Sequence, residues 1–289
     1  MDKTKEMGHT LAETDDITVK LAESDTEVKA AQRLRYQVFY EEYKATPAPE
    51  TEKEGRDIDP FDEHADHLIV IDRRIDDPQK NVIGTYRLLP QHKANKAGKF
   101  YTSDEYDIDA LVNTDMKLLE LGRSCVQAEY RTRPVLQRLW EGITAYMLDH
   151  DIDVMFGCAS FHGTDVSAIA EDLSYMHHFH RAEEQWCPKA LDSRYVNMNL
   201  VDKDDIDPKK VFSNLPPLMK GYLRVGALIG DGAVIDEQFN TIDVCIIMPI
   251  AKLTERYRKH YSRKVNRLIP SKNQDESADK TGEYQDATS

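Results

Sequence analysis

The sequence is short of thiols, of long apolar runs and of positive charge. Its four cysteines, Cys125, Cys158, Cys187 and Cys245, are far apart and form no CxxC pair. That spacing excludes a disulfide framework and a paired-thiol motif, and reduced thiols are expected. No stretch approaches the roughly 20 apolar residues needed to span a bilayer. The N-terminal MDKTKEMGHTLAETDD is polar and lacks the apolar segment of a signal peptide. A cytoplasmic location follows as the expectation. Lys and Arg number 38 against 52 Asp and Glu, a net charge of −14 over 289 residues. Such a balance argues against nucleic-acid partners, though not against local basic patches. HExxH and EF-hand spacings are both missing, so no metal site is expected.

What is present is a long run of alternating elements without an obvious linker. The order is strand, helix, three strands, helix, strand, helix, then more strands, which is an α+β, mixed α/β pattern. Consecutive central strands argue against a doubly wound nucleotide fold. One domain is expected over residues 17–250, between a disordered segment 1–16 and a disordered tail 270–289. Residues 251–269 read as a basic amphipathic helix, with Leu253, Tyr257, Tyr261, Val265 and Leu268 in one stripe. Two roles are open for it: a peripheral contact with an anionic membrane surface, or a terminal helix packed on the domain.

The stretch ELGRSCVQAEYRTRPVLQRLW, residues 120–140, concentrates the candidate chemistry. Glu120 lies in an apolar strand, where a carboxylate is costly unless paired or protonated. It is either a general base or the partner of Arg123 or Arg87. Glu120 and Arg123 point to opposite faces of a regular strand, and a bulge at Gly122 would bring them to one cleft. Arg131 and Arg133 crowd a turn before Pro134, at a helix start whose free amides suit a phosphate. Arg87, among strand residues, is suited to a two-pronged hold on a carboxylate, and Arg35 to the same role or to solvent. Asp59, Asp62, Glu63 and Asp66 form an acidic loop, either solvated or binding a cationic group. His177, His178 and His180 lack ligand spacing, and Cys158 with His162 has no clear geometry for a nucleophile.

The ordered segments RYQVFYEEY, FDEHADHLIV, IGTYRLL, LELGRSCV, YRTRPVLQRLW, FGCASFHG and LPPLMKGYLRVGALIGDGAVIDEQFNTIDVCIIMP resemble the bacterial L-ornithine Nα-acyltransferases of ornithine lipid synthesis. They are similar too to relatives described as hemolysins. The resemblance spans roughly residues 17–260. It implies a Gcn5-related N-acyltransferase (GNAT) sheet, splayed so that a pantetheine thioester arm lies between two central strands. It also implies kinship with acyl-homoserine-lactone synthases, whose pattern places Arg35, Phe39, Asp62, Asp66 and Arg87 at the substrate, with Glu120 and Arg123 on the fourth strand. The glycine-rich pyrophosphate loop of coenzyme A-dependent members is missing, and the turn reads YRTRPVL. The donor implied is therefore an acyl carrier protein, which supplies its own phosphopantetheine, so no bound cofactor is expected. Arg131, Arg133 and Arg138 would dock that acidic carrier.

The activity implied is transfer of a 3-hydroxyacyl chain to the α-amine of ornithine, giving lyso-ornithine lipid. Glu120 would take the amine proton, and backbone amides at Gly122, Ser124 and Cys125 would hold the oxyanion. Arg87 or Arg35 would hold the α-carboxylate and Asp62 or Asp66 the δ-ammonium. Alternatives left open are a synthase using S-adenosylmethionine, an acyltransferase for another amino acid, and a membrane-associated binding protein without catalysis.

Overall fold

The computed structural model describes residues 12–14, 16–131 and 133–270. The first half of the chain supplies strands β1 (Ala12–Thr14), β2 (Ile17–Leu21), β3 (Asp66–Asp72), β4 (Val82–Pro90), β5 (Tyr106–Asp107) and β6 (Leu118–Val126). The second half supplies β7 (Val154–His162), β8 (Lys189–Ala190), β9 (Tyr195–Val196), β10 (Leu228–Asp236) and β11 (Thr241–Pro249). They form one sheet in the order β1-β2-β3-β4-β6-β7-β11-β10-β8-β5, with β9 on β10. β1 pairs with β2, so part of the expected disordered segment is an edge strand. Residues 1–11 and 15 of that segment, and the tail from 271, lie outside the described residues. The expected strand VNMNLV reduces to the two residues of β9.

Helix α1 (Asp25–Tyr36) starts at Ser24, whose hydroxyl accepts the Glu27 N–H, and continues as a π-helical turn over Gln37–Glu42. Its Ala30, Ala31 and Leu34 pack on Ile69 and Val82 of the sheet. Short helices α2 (Pro49–Glu54), α3 (Gln91–Ala97) and α4 (Asp109–Val112) went unread in the sequence, being too brief to show a period. The opposite face of the sheet is covered by α5 (Arg133–Asp149), through Val135, Leu139 and Ile143. That same core takes in α6 (Ala170–His180), α7 (Pro208–Asn214), α8 (Pro217–Val225) and α9 (Glu255–Lys264).

The expected helix over 251–269 is shorter, and its apolar stripe faces the protein. Leu253 and Tyr257 are buried, and the Tyr257 hydroxyl meets that of Thr144 at 2.8 Å. Arg267 pairs with Asp149, and Lys264 with Glu141 at 3.5 Å. Of the two roles left open, packing on the domain is what the apolar residues do. Leu268, 81% exposed, is the exception.

The sheet opens at its middle. β6 and β7 run parallel for only three rungs, from Leu118↔Val154 to Glu120↔Phe156. Beyond them β6 stays with β4, and β7 stays with β11 as far as His162↔Thr241. Gly157 stands at the fork. A Cβ there would lie 2.2 Å from the Leu121 carbonyl oxygen, a backbone atom that cannot yield cheaply. Gly157→Ala is therefore expected to cost about 1–3 kcal/mol and to abolish binding of a thioester arm in the fork. A thermal melt and a donor-binding titration check this; a variant that binds donor normally would remove the fork from the site.

Candidate active site

Three arginines and three aspartates meet under α1. Arg35, fully buried, pairs through Nε with Asp57 Oδ2 at 2.7 Å and through Nη2 with Asp62 Oδ2 at 2.7 Å. Arg87 reaches Asp59 Oδ2 at 2.5 Å and Asp62 Oδ1 at 3.3 Å. Arg123 binds Asp57 Oδ2 through Nε and Asp59 Oδ2 through Nη2, both at 3.1 Å. The formal charges of the six groups cancel, as a buried ionic cluster requires. The arginines hold Asp57 and Asp62 below the usual carboxylate range despite their burial.

Arg123 is the distorted member. Its φ is +48°, a left-handed conformation costly for a side-chain-bearing residue. The β4–β6 register slips at this point: Thr85 faces Cys125 and Arg87 faces Gly122, so Arg123 and Ser124 share the place opposite Tyr86. A bulge was expected at Gly122, and the left-handed residue is the next one along. Its guanidinium carbon lies 4.7 Å from the Tyr101 ring centroid and 4.8 Å from that of Phe239. Phe39 meets Phe239 edge-on at 5.9 Å.

Glu120 is buried three residues before Arg123, on the last rung that β6 shares with β7. Its Oε1 accepts the Thr102 N–H at 2.7 Å and the Thr102 hydroxyl at 2.5 Å, and its Oε2 accepts the Tyr101 N–H at 3.0 Å. It forms no ion pair with Arg123 or Arg87 of the kind the sequence left open. Burial raises its pKa above the ordinary glutamate value, and these hydrogen bonds only partly counter that.

At the fork Leu121, Phe156, Gly157, Cys158, Tyr222, Ile246 and Met248 line a narrow crevice of about 10 Å³, room for about one water. The Tyr222 hydroxyl contacts that of Tyr86. Trp140 packs edge-on against Tyr222 at 5.8 Å. Tyr222, Tyr86, Tyr101, Thr102, Asp57 and Phe239 escaped the sequence reading. For Asp57 a signal existed, a D-x-D-x-x-D spacing with Asp59 and Asp62; for the rest there was none.

The structure brings Arg35, Phe39, Asp62, Arg87, Glu120 and Arg123 into this region and leaves others out. Asp66 is elsewhere, bonded to the Tyr146 hydroxyl at 2.7 Å and to Lys93 at 2.6 Å. Asp62 is saturated by Arg35, Arg87 and the Gln32 amide, so it has no lone pair to spare for an ammonium. Arg35 and Arg87, expected at a substrate carboxylate, are each paired with two aspartates, as Arg123 is. Arg131 grips Glu42 with both prongs at 2.5 Å, and Arg138 pairs with Glu141 at 2.7 Å. Both are therefore tied within the chain, and Arg133 is described only as the first residue of α5. Gly122 and Ser124 are half-buried on the bulge; Cys125 is buried under α1, its thiol pushed up to about 12. His178 and His180 bond Val201 O and the Tyr175 hydroxyl. Cys158 and His162 are four residues apart along β7, about 13 Å at a strand's rise.

Residues 34–141 match the family pattern of an acetyltransferase (GNAT) domain. The chain is 47% identical to an L-ornithine N(alpha)-acyltransferase of Brucella abortus (strain 2308), over 88% of this chain and 91% of that one. It is 45% identical to one of Rhizobium meliloti (strain 1021), over 87% and 86%. Among solved structures it is similar to FeeM, an N-acyl amino acid synthase from uncultured soil microbes, with a TM-score of 0.46 at 11% identity over 81% and 90% of the two chains. With the forked sheet and its buried carboxylate in place, the extent of these identities is decisive: the chain belongs to the L-ornithine N(alpha)-acyltransferase family.

Proposed function

We propose that this enzyme transfers a 3-hydroxyacyl chain from an acyl carrier protein thioester to the α-amine of L-ornithine, giving lyso-ornithine lipid. The observation that carries the reading is the fork between β6 and β7. It ends beside a buried carboxylate, with a guanidinium on a strained bulge next to it. The relatives named for ornithine acylation supply the acceptor.

In this reading the thioester arm enters the cleft at Gly157, and the carrier brings the phosphopantetheine. The neutral α-amine attacks the thioester carbonyl, forming the C–N bond. The oxyanion of the tetrahedral intermediate rests against backbone amides of the Gly122–Cys125 bulge. Glu120 takes the amine proton, directly or through a water, and its raised pKa makes it a stronger base than an ordinary glutamate. Collapse expels the pantetheine thiolate, which takes the proton held by Glu120 and leaves as the thiol, restoring the carboxylate. Arg123, the least buried of the three arginines, takes the α-carboxylate by exchanging one aspartate contact. The carrier docks near the turn at Arg131, Arg133 and Arg138, where Arg131 must first release Glu42.

The product is amphipathic, and Arg256, Lys259 and Arg263 stay exposed on α9 for an anionic membrane surface. Among the described residues no helix is long and apolar enough to cross a membrane. The test is mass spectrometry of lipids from a host lacking ornithine lipids that expresses this chain with labelled ornithine. An ion carrying the label and one 3-hydroxyacyl chain is expected. A folded, expressed protein that yields no labelled lipid would overturn the reading.

A further inference from the structure

Beyond the balanced arginine–aspartate cluster lies a second acidic group that is not balanced. Glu105, Asp236 and Asp243 are all buried, and carboxylate oxygens of the three lie within 4.8 Å of one another. Arg194 is the cation beside them, its Nη1 3.8 Å from Glu105 Oε1. Its prongs already bond the carbonyls of Asp104 and Ile235. Glu105 is 2% exposed and Asp243 6%, and Oε2 of the first and Oδ1 of the second have no hydrogen-bond partner. Buried carboxylate oxygens left without a donor are expensive, and a cation is the partner that removes the cost.

The group is joined to the active site at two points. Thr102, which donates to Glu120, also accepts the Cys158 thiol at 3.9 Å, and Cys158 lies beside Glu105. On the other side Asp236 Oδ1 accepts the N–H groups of Gln238 and Phe239, and the Phe239 ring lies under Arg123. Through these contacts the three acids adjoin both the Arg123 guanidinium and the Glu120 carboxylate, the groups that the reading above assigns to the α-carboxylate and the α-amine.

We propose that Glu105, Asp236 and Asp243 form the subsite for the terminal ammonium of the acceptor amino acid, and so select a basic acceptor over a neutral one. The proposal rests on the acyltransferase reading above and replaces Asp62 and Asp66 in the role first expected for them. A neutral side chain of equal length would leave the three acids without a counter-charge, so discrimination comes from the penalty on the wrong acceptor as well as the gain for the right one.

The experiment compares ornithine with norvaline, which ends in a methyl group where ornithine has the aminomethyl, as acceptors for an acyl-carrier thioester. Wild type is expected to favour ornithine, whereas equal kcat/KM for the two would overturn the proposal without any variant. Glu105→Gln and Asp243→Asn are expected to cut that preference about 10- to 100-fold, the worth of a charged hydrogen bond. The loss should appear mainly in KM for ornithine, and norvaline acylation should rise as the penalty of the unpaired acids is relieved. Preference kept in both folded variants would also overturn it. So would Mg2+ or Ca2+ raising the wild-type melting temperature in a way that the same substitutions abolish, since the site would then be a metal's. A wild type that acylates neither amino acid would instead remove the acyltransferase reading itself.

Discussion

Glu120→Gln is expected to lower kcat by about 10²- to 10⁴-fold, the usual worth of a positioned general base. The amide keeps the size of the carboxylate and still offers one oxygen to Thr102. Its NH2 group, however, faces the Tyr101 N–H, donor against donor. One buried N–H is left unsatisfied, at about 1–3 kcal/mol, so the variant should fold and melt several degrees lower. The pH profile separates the two effects. Wild-type kcat should climb as pH rises through the raised pKa of Glu120, because the base must be ionised. The variant should lose that limb. Near-normal turnover in a folded Glu120→Gln protein would end the assignment of the base.

Arg35→Met is expected to be the most damaging single change to the fold. It leaves Asp57 and Asp62 buried with a lost counter-charge, and breaking a buried pair from one side costs about 3–5 kcal/mol. Both carboxyls are depressed below their ordinary value of 3.8 by the arginines around them. Their contribution to stability is therefore complete above that value and fades as pH falls through the folded pKa. The gap between wild type and variant should accordingly be widest near pH 7 and shrink in acid, where protonated aspartates no longer need the arginine. Urea midpoints at pH 7 and pH 2 measure it. A gap that is under about 1 kcal/mol at pH 7, or that widens in acid, would contradict a buried ionic cluster of this worth. Activity should fall along with stability, since Asp57 also holds Arg123 on its bulge.

The long elements were legible because each carries a strong period. The α1 register, the β3–β4 pair and α5 follow from apolar spacing, and β11 from a continuous apolar run. The short helices between Pro49 and Val112 carry too few residues to show one, and so the segment holding Tyr101, Thr102 and Glu105 went unread. The candidate site divides in the same way. Glu120 stood out because a carboxylate in an apolar strand demands a reason. Its three donors come from a turn some 18 or 19 residues away, and spacing along β6 carries no trace of them.

By itself the sequence determined the mixed α/β class, the candidate strand with its carboxylate and arginine, and the family whose motifs the chain resembles. Local patterns and ordered motifs suffice for these, since both are written in consecutive residues. Only the tertiary structure decided which charges are already spent. The aspartates of the acidic loop and the arginines Arg35, Arg87 and Arg131 each find partners 20 or more residues distant. A saturated ion pair and a waiting ligand are the same letters in the sequence. Only the packing that neutralised Asp62, and left Glu105 and Asp243 with unpartnered oxygens, tells one from the other.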